Sequence, residues 1–233
     1  MALSKILFTC LLSYTLAGCG VGPTPRLMNL VGEDAFAYRG IPPEHSPEND
    51  EWMQVSSIGL VVHSDDTGTN ATPPIVFRYL ETLARRTEEF LRHRCSFQEI
   101  LPVPPLAKPV NFSQELKVQG QRLQVPYKMV VLFSSRENTG PEKIGEATMM
   151  TQMSGTVIEN SALAEVGILR VSDFKMVFWT QGRATENLEQ LDVPIGANRP
   201  SATDARDILR ARAGQHALDR ALEHLGSACL RGK

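Results

Sequence analysis

The sulfur of Cys19 is the group in this chain that the surrounding sequence best prepares for covalent modification. Leu16, Ala17 and Gly18 come directly before it, and small residues at a cleavage point let an extended backbone enter a protease groove. A cysteine sulfur is a nucleophile that can carry a diacylglyceryl group as a thioether. Each buried CH₂ of an acyl chain contributes roughly 0.8 kcal/mol, so two or three chains make a stable anchor. If Cys19 carries such a group, its acyl chains hold the chain at a membrane.

The segment before Cys19 has the composition of an export signal. Lys5 supplies a positive charge, and residues 6–16 form an apolar run that is too short to span a bilayer as a permanent helix. Together with the residues described above, this segment resembles the signal of bacterial lipoproteins, the lipobox. The resemblance implies a signal peptide over residues 1–18, cleavage between Gly18 and Cys19, and acyl chains such as palmitate on Cys19.

The residues after Cys19 carry a second part of this resemblance. In lipoproteins, an aspartate directly after the lipidated cysteine favours retention in the inner membrane, whereas here Gly20 and Val21 follow. The resemblance therefore implies the outer membrane of a Gram-negative cell, on its periplasmic side. Two alternatives stay open: a surface protein of a Gram-positive cell, and a soluble secreted protein in which Cys19 is unmodified.

The composition of the chain is that of an ordinary globular protein. Its 233 residues are 42% apolar, 21% charged and 6% aromatic, which excludes a disordered chain, a collagen-like repeat and a multi-pass membrane protein. With 24 basic and 26 acidic residues, the net charge is −2. Loss of Lys5 with the signal makes it −3. Without a basic excess, no nucleic-acid partner is predicted.

Two cysteines remain after the signal and the lipidated residue are set aside. Cys95 and Cys229 each follow a predicted helix, in a compartment that permits disulfides. A bond between them would close an interval of 134 residues and contribute a few kcal/mol, on the order of 4 in the loop-entropy model. Two buried free thiols are the alternative. His93 and Cys95 have no second ligand pair at a matching spacing, so no metal site is predicted.

Residues 19–54 have the composition of a tether. They contain many prolines and glycines and a polar cluster, and a coil of this length has an r.m.s. span of roughly 30 Å. Part of this segment is expected to dock on the domain, because it also contains apolar residues at Leu27, Met28, Leu30, Phe36 and Tyr38. Residues 55–230 are predicted to form one domain.

The first half of this domain alternates strands and helices. Apolar runs predict strands over residues 57–63, 97–103 and 127–133. An amphipathic helix is predicted from residue 72 onward, with Thr72 as its N-cap and arginines on its solvated face. Residues 113–124 fit a helix or a hairpin, and we favour the helix.

The second half is predicted to be largely extended. Runs rich in Thr, Val, Ile and Met cover residues 147–157, 162–171 and 174–184, the last two forming a hairpin across residues 172–173. A helix follows over residues 201–228, and its apolar stripe is predicted to contain Ile208, Leu218, Leu222, Leu225 and Cys229. The element order is β-α-β-α-β-β-β-α, which predicts an α/β fold (an α+β sandwich) with a mixed sheet of five or six strands and about three helices.

The predicted hairpin carries a second resemblance. Residues 161–169 and 176–184 resemble the paired strands of periplasmic lipoproteins that include the curli-secretion lipoprotein and the penicillin-binding-protein activators. The resemblance extends over residues 55–228. The favoured function is that of a non-enzymatic envelope lipoprotein whose domain binds another envelope protein, because the chain combines a core and a membrane tether without a catalytic constellation. No cofactor beyond the covalent lipid is expected. An oligomeric secretion or pore component, which would need long alternating strands, is an alternative.

Catalytic candidates are few. His63, Ser64 and Asp65 follow a predicted strand, where α/β proteins often bind ligands, but neighbours on a strand point to opposite faces and cannot form a triad. Ser135 follows another strand without a nucleophile elbow. No phosphate-binding loop or metal-ligating motif occurs, so no catalytic residue is assigned. A periplasmic hydrolase using His63 and Ser135 is the less favoured alternative.

The predicted hairpin contains three further residues of interest for a site. Glu165 is a strand carboxylate without an identifiable partner. Phe178 and Trp179 are successive on a strand, so that one of them faces the core and the other is a candidate for partner contact.

Overall fold

A central sheet organises the chain in the computed structural model, which describes residues 22–32, 35, 47–65, 74–95, 97–103, 112–144, 153–191 and 202–231. The sheet contains five strands: β1 (Ser57–Ser64), β2 (Glu99–Pro102), β3 (Tyr127–Ile144), β4 (Met153–Arg170) and β5 (Met176–Leu191). Their spatial order is β2-β1-β3-β4-β5. β1 is parallel to β2 and β3, while β4 is antiparallel to both its neighbours. The prediction of a mixed sheet is confirmed.

Within the described residues, four α-helices flank this sheet: α1 (Leu27–Val31), α2 (Phe77–Arg94), α3 (Phe112–Leu123) and α4 (Ala202–Arg231). α2 and α4 contribute to the apolar core on one face, and α1 and α3 contribute to the core on the other face. From β1 onward the order is β-α-β-α-β-β-β-α, as the sequence predicts. The helical interpretation of residues 113–124 is also confirmed.

The start of α2 differs from the prediction. Val76, in extended conformation and without a side-chain cap, is the N-cap residue, and Thr72 lies outside the described residues. The Ile75 backbone N–H donates to the Ser64 Oγ at 2.9 Å. Because this bond ties Ile75 to the end of β1, the chain stays extended until Val76, and the helix begins at Phe77.

The segment predicted to be a tether packs on the domain in two places. α1 buries Leu27 and Val31 completely or nearly so. A 3₁₀-helix over Pro47–Gln54 places Trp52, 1% exposed, with its ring centroid 5.5 Å from that of Phe178. A boundary at residue 55 therefore does not separate a free tether from the domain.

α4 lies close to the sheet because small residues face each other across the interface. Gly182 of β5 is in contact with the backbone of Ala217 and Ala221 of α4. The predicted apolar stripe of this helix is wrong at its first member, since Ile208 is 38% exposed and Leu209 is buried. A helix that lies directly on strand backbone needs glycine or alanine at the contact.

A polar row crosses the same interface. Glu137, Asn160 and Glu186 are register neighbours on β3, β4 and β5. From α4, the buried Arg210 donates to Glu137 at 3.4 Å and His216 Nδ1 lies 2.6 Å from Glu186. β4 runs through this row without interruption, so the predicted break between residues 157 and 162 is wrong. The first residues of the strand predicted over residues 147–157, namely residues 147–152, lie outside the described residues.

A disulfide joins the C-terminal ends of α2 and α4. The Cys95 and Cys229 sulfurs are 2.08 Å apart and their Cα atoms 5.0 Å apart. The sequence left this pair open between a bond and two free thiols, and the structure contains the bond.

Lys128 of β3 is buried beneath α3. Its side chain is 1% exposed, and its Nζ donates to the Leu116 carbonyl oxygen at 2.5 Å. Burial lowers the pKa of Lys128 to about 8 from 10.5. The buried charge therefore opposes folding at neutral pH.

We expect the free energy of unfolding to rise as the pH increases from about 8 to 10.5. Across this window the unfolded chain still binds a proton at Lys128 while the folded chain has released it, which favours folding as pH rises. Lys128→Met should remove this rise and stabilise the protein at pH 7 by up to about 3 kcal/mol. Urea unfolding at several pH values measures both effects. Lys117→Met is the control, because Lys117 is an exposed lysine of α3, the helix that covers Lys128. If the free energy of unfolding still rises over this pH range in Lys128→Met, groups other than Lys128 cause the rise.

Candidate functional site: the docked N-terminal segment

The first described residues after Cys19 begin at Gly22. They lie on the sheet face that α1 and α3 cover. At the centre of this contact is Glu165 of β4, 1% exposed, with Leu132 and Gln181 as its register neighbours on β3 and β5. A carboxylate at this depth requires donors that replace water.

Three donors meet the Glu165 carboxylate. Its Oε2 accepts from the backbone N–H groups of Arg26, at 2.6 Å, and Leu27, at 3.1 Å. Its Oε1 accepts from the Trp179 Nε1, at 3.3 Å. The two backbone N–H groups belong to the start of α1, where the helix itself offers no acceptor. Glu165 is therefore the carboxylate that caps α1 and fastens it to the sheet.

Side chains of the segment add two further contacts. The Arg26 Nε lies 3.4 Å from the Asp65 Oδ2 just beyond β1. Leu27 is fully buried, and a Cβ built on Gly167 of β4 would lie 2.8 Å from its Cδ2. The absence of a side chain at Gly167 thus makes the space that Leu27 fills, which fixes the position of α1.

The electrostatics of Glu165 follow from this environment. Burial raises the pKa of its carboxyl, the three donors oppose that rise, and the Asp65 charge adds to it. A buried carboxyl with a raised pKa is often a functional group. Here its oxygens are occupied by donors from the chain itself, so the arrangement holds a segment in place.

The hydrolase candidates are not brought together. His63 packs on Phe112, with ring centroids 5.4 Å apart, on the α3 side of the sheet. Ser135 lies two residues after Phe133, whose side chain belongs to the opposite core, so the sheet separates Ser135 from His63. Ser64 binds the Ile75 N–H. These residues do not form a nucleophile–base pair.

Phe178 and Trp179 of β5 lie on opposite faces of the sheet, as expected from strand alternation. Phe178 faces the core beneath α4, at 6% exposed. Trp179 lies on the other face, where it is partly buried and donates to Glu165. The outward aromatic residue therefore binds the same Glu165 carboxylate that holds the N-terminal segment.

An apolar groove lies at the β2 edge of the sheet, beside α2. Its volume is about 600 Å³, and Phe77 at its rim is 54% exposed. Its wall is formed by residues of β1, β2 and α2 and includes Leu60, Val62, Leu80 and Pro102.

Within the described residues, no group of three or more histidine, cysteine, aspartate or glutamate side chains could hold a metal ion. In that same part of the chain, no helix has the length and apolar character needed to cross a membrane. Cys19 and the predicted cleavage point at Gly18 lie outside the described residues.

No family model and no curated protein sequence matches the chain. Among solved structures, a Helicobacter pylori homolog of the neuraminyllactose-binding hemagglutinin aligns at TM-score 0.42 and 7% identity, covering 75% of this chain and 88% of that one. Rare lipoprotein B from Shewanella oneidensis aligns at 0.30 and 14%, covering 74% and 97%. Lipoprotein GNA1162 from Neisseria meningitidis aligns at 0.32 and 10%, covering 66% and 93%. Likenesses this low carry no inference about this chain.

Proposed function

We propose that the chain is a lipid-anchored lipoprotein of the outer membrane, on its periplasmic side, whose domain acts without catalysis by binding another envelope protein. The observation that carries the anchor is the run Leu16, Ala17, Gly18 and Cys19 directly after an apolar segment of signal length. Gly20 and Val21, in place of an aspartate, support the outer membrane.

Two features of the domain support a binding role over a catalytic one. The pair on which a hydrolase would depend, His63 and Ser135, is separated by the sheet. The buried carboxyl of Glu165, which has the raised pKa of many catalytic acids, is occupied in holding α1. A stable domain with a groove at one edge and an anchored N-terminus at another is suited to present a surface to a partner.

Cys19→Ser is expected to move the protein from the membrane fraction to the soluble fraction and to abolish incorporation of labelled palmitate. The physical reason is that the acyl chains supply the membrane affinity. Cys10→Ser is the matched control, because Cys10 lies in the segment that cleavage removes. Incorporation of labelled palmitate that persists in the Cys19→Ser protein would contradict the lipid anchor.

The partner is tested on the lipidated protein purified in detergent from native membranes. A binding module should copurify with one envelope protein in a fixed ratio. A monomer that carries no partner at native abundance would count against the proposal. A ring of this chain alone, measured by light scattering, would instead support the secretion or pore alternative.

A further inference from the structure

The docked segment leaves little chain between the anchor and the domain. Gly22 is the third residue after Cys19, and three residues span at most about 10 Å. Gly22 already lies beside the end of a β5 side chain, since a Cβ at this position would be 3.5 Å from the Arg183 Nη1. On the proposed function, with lipid on Cys19, this part of β5 must therefore lie close to the membrane surface.

The contacts further along the segment prevent the domain from turning freely about that point. The carboxylate of Glu165 holds the backbone of Arg26 and Leu27. The Arg26 side chain pairs with Asp65, and Leu27 is completely buried. Because these contacts lie on different strands and loops, they fix the direction of the segment as well as its position.

The edge of the domain beside Gly22 is basic. The Arg220 guanidinium of α4 donates to the Arg183 carbonyl oxygen on β5, and both side chains belong to exposed residues. Arg212, also exposed, is eight residues before Arg220, two turns along the same helix. Within the described part of the chain, none of these three arginines pairs with a carboxylate, whereas the nearby Glu186 is bonded to His216.

We propose that the docked segment 22–31 holds the domain on the membrane in one orientation, with the β5 edge and the side chains of Arg183 and Arg220 against phospholipid headgroups. Guanidinium groups bind phosphate through several donors at once. The link of at most about 10 Å lets these guanidinium groups come within about 8 Å of the headgroups, the distance over which exposed charges interact at physiological salt. The opposite edge, β2, is four strand spacings away, about 19 Å.

The experiment uses the full lipidated protein in vesicles of phosphatidylethanolamine, phosphatidylglycerol and a small fraction of nickel-chelating lipid. One spin label is placed on β5 (Thr185→Cys) or on β2 (Glu99→Cys), both at exposed positions. The new cysteine is the only reactive thiol when Cys19 is acylated and the native pair is bonded. Collisions with headgroup nickel should relax the label on β5 several-fold more than the label on β2.

A flexible insert separates orientation from anchoring. About 12 glycine and serine residues placed between Val21 and Gly22 would have an r.m.s. span of roughly 20 Å, while every contact of the docked segment stays intact. This insert should remove most of the difference between the two labels. If the two labels relax equally in the chain without the insert, or if the label on β2 relaxes more, the orientation is overturned while the lipid anchor stands. Failure of the wild-type chain to enter vesicles would overturn the anchor, and the orientation with it.

Discussion

Replacing Gly182 with alanine is expected to lower the free energy of unfolding by about 3 kcal/mol. An alanine Cβ at this position would overlap the Ala217 carbonyl oxygen and lie 2.6 Å from the Ala221 backbone nitrogen. Both are atoms of the helix backbone, so a rotamer change cannot relieve the contact. α4 would have to move away from the sheet, and the alanines packed on both sides of the interface would lose contact.

Gly140→Ala is the matched control for Gly182→Ala. Gly140 is on β3, in the same sheet, and a Cβ there would meet no atom within 4 Å. Urea unfolding followed by far-UV circular dichroism should give nearly the same midpoint for this variant as for the wild type. Equal midpoints for the two glycine variants would show that α4 does not lie on β5 as described.

Removal of the disulfide is expected to cost about 2–5 kcal/mol, because the bond closes a long interval and restricts the unfolded chain. In Cys95→Ala/Cys229→Ala the ends of α2 and α4 keep only their apolar contacts. Adding a reductant should lower the Tm of the wild type to a value near that of the double variant, and should leave the double variant unchanged. The single variants are the poorer test, since each leaves a free thiol.

A thiol count supplies the second readout of the same bond. The unfolded, lipidated mature chain should present no reactive thiol before reduction and two afterwards, from Cys95 and Cys229. Two reactive thiols before reduction, together with a wild-type Tm that the reductant does not change, would contradict the disulfide.

The order of elements in the domain could be predicted because each element has a local signal. The strand at residues 57–63 is a continuous apolar run, and α2 has an apolar stripe with charges opposite. Prediction was wrong where tertiary contacts override such signals. The bond from Ile75 to Ser64 delays the start of α2, and pairing with β3 and β5 carries β4 through Asn160.

The docked segment was predicted only in outline. The apolar residues of the N-terminal segment indicated that part of it packs on the domain, but they did not indicate where. Glu165 is 139 positions after Arg26, and no local pattern relates the two. A buried strand carboxylate with no partner in its own hairpin was the signal available, because such a group must find donors elsewhere.

The lipid on Cys19 is the central claim, and mass spectrometry of the membrane-extracted protein tests it most directly. Trypsin should release residues 19–26 as the N-terminal peptide, since Arg26 is the first basic residue after Cys19. We predict a peptide that begins at Cys19 and carries the added mass of a diacylglyceryl group and an acyl chain, with no peptide from residues 1–18. A free thiol on that peptide, or a chain that still begins at Met1, would contradict the account.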